Sequence, residues 1–426
     1  MTLWETTAAP LPPAPPLVGE GACDIAVVGG GILGLSTALA LAEAGVRVTV
    51  LEAATVGAGD SGRNGGLVVP SLPRIGPADV RAKLGGARAA RLLALLAGGA
   101  DNLFSLIRRH GIACDALQSG WLNPAHAAAL APRVQARVAA WQAEGASCVW
   151  LDAAETRARL GSTQFHGALF DPSGGHLDPL AYTRGLARAA VAAGAVLHEA
   201  SPVLGAQRSD GLWRLRTARG SLAASAVLQC TNTTPPGVPD PVGAALAAES
   251  VPLLVYQLAT EVLPASARAA VLPGNEAFSD TRNNLLACRW TASGRLVTGG
   301  MAALHTGAMT RLPRKLARRL EQVFPALAPV RFSHVWRGRA ALTGDFLPRL
   351  IAPAPGWLAV TACNGRGLVM NTMLGPELAA FLRTGDTRAL PLPVTAPRPI
   401  RVRPLARLVP QLLLPLGDWQ DRRIAG

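Results

Sequence analysis

The feature that most constrains this 426-residue chain is a glycine pattern wedged between two predicted elements. Asp24 to Val28 reads as a short apolar strand and runs directly into Gly29-Gly30-Gly31-Ile32-Leu33-Gly34. A helix follows to about Ala44, where Gly45 stops it. Val46 to Glu52 alternates as a second strand and ends on an acid. The spacing G-x-G-x-x-G alone is weak, but strand, turn, helix and closing carboxylate together specify a dinucleotide-binding βαβ unit. Each glycine has a physical task. Gly29 permits the tight turn, Gly31 lets the backbone approach a pyrophosphate, and Gly34 lets helix and strand pack closely. The helix N-terminus offers unpaired N–H groups to the phosphates. Glu52 accepts hydrogen bonds from ribose hydroxyls and repels a 2′-phosphate, which disfavours NADP.

That unit alone does not separate FAD from NAD. The next segment, Gly57-Ala58-Gly59-Asp60-Ser61-Gly62-Arg63-Asn64-Gly65-Gly66, is a long glycine-rich loop directly after the second strand. Such a loop can run along a large cofactor with its N–H groups facing it; a plain surface loop is the alternative.

The rest of the chain predicts an α/β fold, α+β overall. Residues 77–146 read as mostly helical, and Asp178 with Pro179 caps a helix to about Ala193. Strands are expected at Val196 to Val203, Trp213 to Thr217, Leu222 to Gln229, Val251 to Thr260, within Leu285 to Gly300, and at Trp357 to Cys363. Arg311 to Phe324 reads as a helix with a solvated basic face, and another helix starts near Gly367, kinked or interrupted by Pro376 after about two turns. Residues 1–21 form a proline-rich arm, expected to be extended and on the surface, and Pro235, Pro236, Pro239 and Pro241 mark a linker.

Composition trims the function classes. The formal charge is +14, yet only Lys83 and Lys315 are lysines, and no run of like charge or RNA-binding aromatic pattern accompanies the arginines. Nucleic acid is not the expected partner. The six cysteines form no C-x-x-C pair and the seven histidines show no ligand spacing, so reduced thiols, a cytoplasmic location and no metal site are expected. No run reaches the length of a transmembrane segment. Leu405 to Leu416 is apolar and cationic but broken by Pro410 and Pro415; packing on the body is expected, with a membrane-surface role as the alternative.

The motifs "GAGDSGRNGG", "GGHLDPLAYTRGLARAA" and "WRGRAALTGDFLP" from Trp336, with the N-terminal βαβ block, resemble the D-amino-acid-oxidase-type flavoproteins, and most of all their gamma-glutamylputrescine oxidoreductase-like branch. The resemblance implies a Rossmann-like FAD domain from 22–76, 150–235 and 330–385. It implies an antiparallel-sheet substrate domain from 77–149 and 236–329, with 386–426 as a tail packed on the body. It places Val203 by the adenine, Arg63 and Asn64 near the isoalloxazine ring, and Asn364-Gly365-Arg366-Gly367 at the flavin's pyrimidine end, with Ser61 and Gly65 as further cofactor-binding residues. A helix N-terminus at Gly365 and Gly367 would favour an anionic reduced flavin.

The implied activity is oxidation of the C–N bond of a small amine or amino acid by hydride transfer to FAD, with hydrolysis of the imine. The alternatives are a flavin-binding subunit of a larger dehydrogenase complex and an NAD-linked dehydrogenase. Arg366 stands where many relatives carry His; it cannot act as a base but can clamp a carboxylate with two prongs. Arg63, His176 and Tyr256 are the other catalytic candidates, and Arg289 is a weaker one. Neither lysine sits in the oxygen-activating motif of sarcosine-oxidase-type relatives. "SGRNGG" has no His and Arg339 to Leu342 no Cys, so noncovalent FAD is expected.

Overall fold

A computed structural model describes residues 1–232, 248–400, 403–406 and 408–425. The proline linker at 235–241 lies outside the described residues. Two large sheets organise the rest. The first has nine strands, in the order Val394–Thr395, Arg349–Ala354, Trp357–Thr361, Gly220–Gln229, Gly19–Val28, Val48–Leu51, Val196–His198, with the hairpin Gly205–Ser209/Leu212–Arg216 added to Gly220–Gln229. Its centre is parallel: Gly19–Val28 pairs in parallel with Gly220–Gln229 on one side and Val48–Leu51 on the other. Strands buried on both faces favour apolar side chains, which is why Ile25 to Val28 reads as a continuous apolar run; Val48 to Leu51 is buried at every position too, Thr49 included.

The helix Ile32–Glu43 is buried along nearly its whole length, packed between Gly367–Thr384 and Pro179–Ala192. Pro376 does not interrupt Gly367–Thr384, contrary to the sequence expectation. The carbonyl that a proline four residues later cannot engage is that of Thr372, and it accepts the Ser36 hydroxyl at 3.1 Å. The neighbouring helix thus satisfies the group that would otherwise break this one. Asp178 caps Pro179–Ala192 as expected, its Oδ1 accepting N–H bonds from Leu180 and Ala181.

The second sheet has eight strands: Phe332–Leu342, Val251–Thr260, Leu296–Gly300, Ala287–Trp290, Ala277–Ser279, Trp121–Pro124, Ala168–Asp171, Val149–Leu151. It is antiparallel except between Ala277–Ser279 and Trp121–Pro124. Two of its members, Ala168–Asp171 and Phe332–Leu342, fall in stretches that the sequence reading assigned to the FAD domain. The strand Trp121–Pro124 interrupts a region read as helical. The expected strand from Val196 ends at His198, so Val203 stands in the loop beyond it.

The arm is extended and largely exposed over residues 9–16, but it begins otherwise. Trp4 starts a short helix, Trp4–Thr7, and its indole is 1% exposed. The helix Ala308–Val323 presents Arg311, Arg314, Lys315 and Arg318 to solvent and buries Leu312, Leu316 and Leu320. Among the described residues no single helix is long and apolar enough to cross a membrane. Gly86–Ala97 and Gly99–Arg109, bent by 53°, would pass only as a pair, and their leucines are buried in the core.

Candidate functional site

A cavity of about 500 Å³ runs between the two sheets. One end is the glycine turn. Gly29 has φ +110, a conformation a side chain disfavours, and a Cβ on Gly34 would stand 2.1 Å from the Gly29 carbonyl oxygen. The turn therefore closes only with hydrogen at Gly34. A Cβ on Gly31 would meet Ser61 Oγ at 2.8 Å, and that hydroxyl accepts the N–H of Ile32 at the helix start. Glu52 closes the cradle. Its Oε2 accepts Gly30 N–H at 2.7 Å and its Oε1 accepts Ala54 N–H at 2.9 Å. Burial pushes its pKa up against these bonds. Val203 lines the same end.

The wall in the middle is the loop 57–66, and its backbone is held from behind. Three consecutive carbonyls each receive one side-chain N–H. Arg63 O accepts from Trp336 Nε1 at 2.9 Å, Asn64 O from Trp4 Nε1 at 2.9 Å, and Gly65 O from Arg289 Nε at 2.7 Å. The three donors pack on one another. Trp4 and Trp336 meet edge to face at 5.7 Å, and the Arg289 guanidinium lies 4.7 Å from the Trp4 ring centre. Arg289 is fully buried, bonds Leu177 O as well, and is held down at about 10 by burial; its role is to brace the loop. In a trans peptide the N–H points opposite the preceding carbonyl, so the N–H groups of Asn64 and Gly65 face away from this clamp. The Arg63 side chain lines the cavity but folds back, its Nε donating to Ala58 O at 3.0 Å.

The far end is the turn before Gly367–Thr384. Asn364 lines the cavity with φ +53, and its Oδ1 accepts Thr343 N–H at 2.8 Å. Gly365, Arg366 and Gly367 follow on the cavity wall. Arg366 Nε is buried with no hydrogen-bond partner, and no carboxylate pairs with the guanidinium among the described residues. Its plane lies 5.7 Å from the Trp121 ring. Burial, then the neighbouring Arg137, hold its pKa down to about 10. Arg137 is similarly depressed and has only neutral partners, Asn123 Oδ1 at 3.0 Å and Ser71 Oγ at 3.1 Å. Both cations are desolvated and neither pairs with a carboxylate among the described residues; of the two, Arg366 lines the cavity.

The structure does not bring His176 or Tyr256 to the cavity. His176 pairs with Leu67 in a two-stranded ribbon, places Nε2 3.1 Å from the Asn275 carbonyl, and is pushed down to about 3 by burial and then by Arg289. It is a structural imidazole. Tyr256 sits on Val251–Thr260, where side chains alternate between faces. Val255 and Gln257 line the cavity, so Tyr256 packs on the other side with Leu312 and Leu316, its hydroxyl 3.4 Å from His305 Nδ1. Gln257 was missed by sequence reasoning; strand parity, once one face is known, is the signal that finds it. Arg137 carried no signal, since nothing in its helix separates it from the solvated Arg133.

The residues present fit a flavin dinucleotide. A glycine cradle and carboxylate stand at one end, a braced loop along the middle and a cationic helix start at the other. Fold and site define a flavin-dependent oxidoreductase. The profile of the DAO family, described as FAD dependent oxidoreductase, matches residues 24–381, and the chain belongs to that family, whose cofactor is FAD. It is 33% identical over 366 residues to gamma-glutamylputrescine oxidoreductase of Escherichia coli, covering 85% of this chain and 84% of the relative. A probable oxidoreductase, OrdL, of Rhizobium meliloti is 29% identical over 392 residues, covering 91% and 89%. Among solved structures, glycine oxidase from Geobacillus kaustophilus superposes with a TM-score of 0.68 at 21% identity, covering 86% and 96% of the two chains. L-Proline dehydrogenase from P. horikoshii gives 0.70 at 18%, covering 87% and 95%.

Proposed function

We propose that this enzyme oxidises the C–N bond of a small amine that carries a carboxylate, and that Arg366 holds that carboxylate. The observation that carries the reading is Arg366 on the cavity wall, its Nε buried without a partner, with Arg137 nearby bonded only to neutral groups. Such a pair is stabilised by an anionic ligand, and a guanidinium grips a carboxylate with two parallel bonds, which fixes the pose of the neighbouring C–H. The named substrate of the Escherichia coli relative, gamma-glutamylputrescine, supports the amine class.

Bound FAD supplies the hydride acceptor for the carbon next to nitrogen, and water hydrolyses the released imine to a carbonyl compound and an amine. The chain's own part is placement. The glycine turn and Glu52 take the dinucleotide, the N–H edge of Asn64 and Gly65 faces the ring system, and Gln257 offers its amide opposite. The apolar wall of Val255, Leu285 and Val297 lowers the local dielectric and favours the neutral amine. FAD is held without a covalent bond. Cys230 and Cys363 line the cavity, but burial raises both thiols, which stay protonated and unreactive.

The test is an anaerobic screen of amino acids and their decarboxylated amines, read as flavin bleaching. Faster bleaching by the carboxylate-bearing member of each pair is expected. Equal rates across all pairs would remove Arg366 from substrate recognition.

A further inference from the structure

The C-terminal helix, Val409–Ala425, is amphipathic in the wrong sense for a helix packed on a protein body. A docked helix buries its apolar stripe and shows its polar face to water. Here Gly417 presses on Asn283, Asp421 accepts the Asn283 backbone N–H at 2.8 Å and its amide at 2.9 Å, and Asp418 pairs with Lys315 at 3.0 Å. The polar side faces the body. Val409, Leu412, Leu413 and Leu416 recur at intervals of one, three and four residues on the opposite face, which is helical spacing for a single stripe. They are 45–71% exposed, and Trp419 continues the stripe at 50%. An apolar strip of this extent marks an interaction surface.

Charge selects the occupant. Arg422 and Arg423 are exposed at the end of the helix, and the adjoining helix Ala308–Val323 exposes Arg311, Arg314 and Arg318 besides the paired Lys315. Both acids of the C-terminal helix are engaged with the body, so the rim of the stripe is cationic. A second copy docking through the same face would set these rims against each other. An anionic bilayer neutralises them while its acyl boundary takes the leucines, and an indole suits that boundary. We propose that this face docks the enzyme on an anionic lipid surface, with the helix lying in the plane of the interface. The body side of the helix is linked to the cavity's surroundings: Asn283 bonds Arg74, and Leu285 and Pro73, close to them in sequence, line the cavity.

The holoenzyme is sedimented with vesicles of phosphatidylcholine alone and with vesicles of phosphatidylcholine and phosphatidylglycerol in equal parts. Binding to the anionic vesicles is expected to be at least about tenfold stronger and to fall with added salt. Leu412→Glu/Leu413→Glu abolishes it while FAD content and bleaching by substrate stay as in the wild type, since these side chains touch nothing in the site. Anionic vesicles also shift tryptophan emission to the blue, and Trp419→Phe removes the shift. Absence of wild-type binding, equal binding to both vesicle types, or a dimer by light scattering that Leu412→Glu/Leu413→Glu dissociates would each overturn the proposal.

Discussion

The two ends of the cavity are built on opposite principles. At the glycine end every polar side chain is already bonded: Glu52 to two N–H groups, Ser61 to the helix start. Recognition there is done by backbone and by missing side chains, all encoded within residues 29–61. At the Arg366 end the cations have no counter-charge, and the contributing groups come from residues 71, 123, 137 and 366. The first end is complete as it stands; the second still lacks a counter-charge. A backbone site should fail all at once when its geometry is disturbed, whereas a charge site should lose function by degrees that follow the chemistry of the replacement.

The largest effect should come from Gly34→Ala. Its Cβ meets backbone at 2.1 Å, so the turn cannot close, and a loss of about 3 kcal/mol or more in stability is expected together with complete loss of bound FAD. Gly31→Ala displaces the Ser61 hydroxyl rather than backbone, at a cost of about 1 kcal/mol in stability, and its Cβ crowds the pyrophosphate approach, so yellow colour should fall only in part. Equal absorbance at 450 nm or so from both variants would erase the distinction.

Next comes Arg366→Ala. Truncating a desolvated cation that pairs with a ligand costs about 2–5 kcal/mol, roughly thirtyfold or more in the rate of substrate-driven flavin reduction. Arg366→Lys should keep the charge, lose the fork and raise KM more than it lowers kcat. Stopped-flow rates within about twofold of wild type for Arg366→Ala would make the residue structural.

Trp4→Phe keeps the ring and removes one N–H from the loop clamp. About 1 kcal/mol is expected, a roughly fivefold weaker FAD affinity, with the pH profile of turnover unchanged. Fluorescence titration of apoprotein with FAD decides it, and an unaltered affinity would show that the loop holds its shape without Trp4.

The smallest effect on turnover belongs to His176→Gln, which should leave kcat within about twofold because the ring is off the cavity. Its effect is on acid stability. Burial keeps the imidazole neutral down to about 3, so below a pH of about 6.5 the unfolded chain takes up a proton that the folded chain does not. His176 is therefore neutral toward stability above that pH and increasingly costly as pH falls toward 3. The variant should flatten the loss of stability across that window in acid denaturation; an unchanged slope would contradict the depressed pKa.

The glycine turn, the Asp178 cap and the strand Val251–Thr260 were legible because each is a local pattern with one structural solution. What stayed hidden depended on partners remote in sequence. Tyr256 and Gln257 are adjacent on one strand, and no local rule says which of the two faces the cavity. Trp4 lies among prolines that read as a loose ribbon, yet its indole reaches Asn64. Pro376 reads as a breaker, and only Ser36 on another helix shows why the helix continues. Arg137 and Arg366 differ from other arginines solely by desolvation, which a sequence does not display. The apolar run near Leu412 was visible, but which way its stripe faces was not.

The clamp on loop 57–66 carries a consequence for how the enzyme is made. Its three bonds join residues 60, 224 and 273 positions apart. Loop-closure entropy makes such contacts late events in folding. The βαβ unit can form early from its own sequence, but the cavity wall at residues 57–66 takes shape only when segments near residues 4, 64, 289 and 336 have met. A chain stalled short of that point has its glycine turn but an unfinished middle to its cavity, so the site matures from its ends inward.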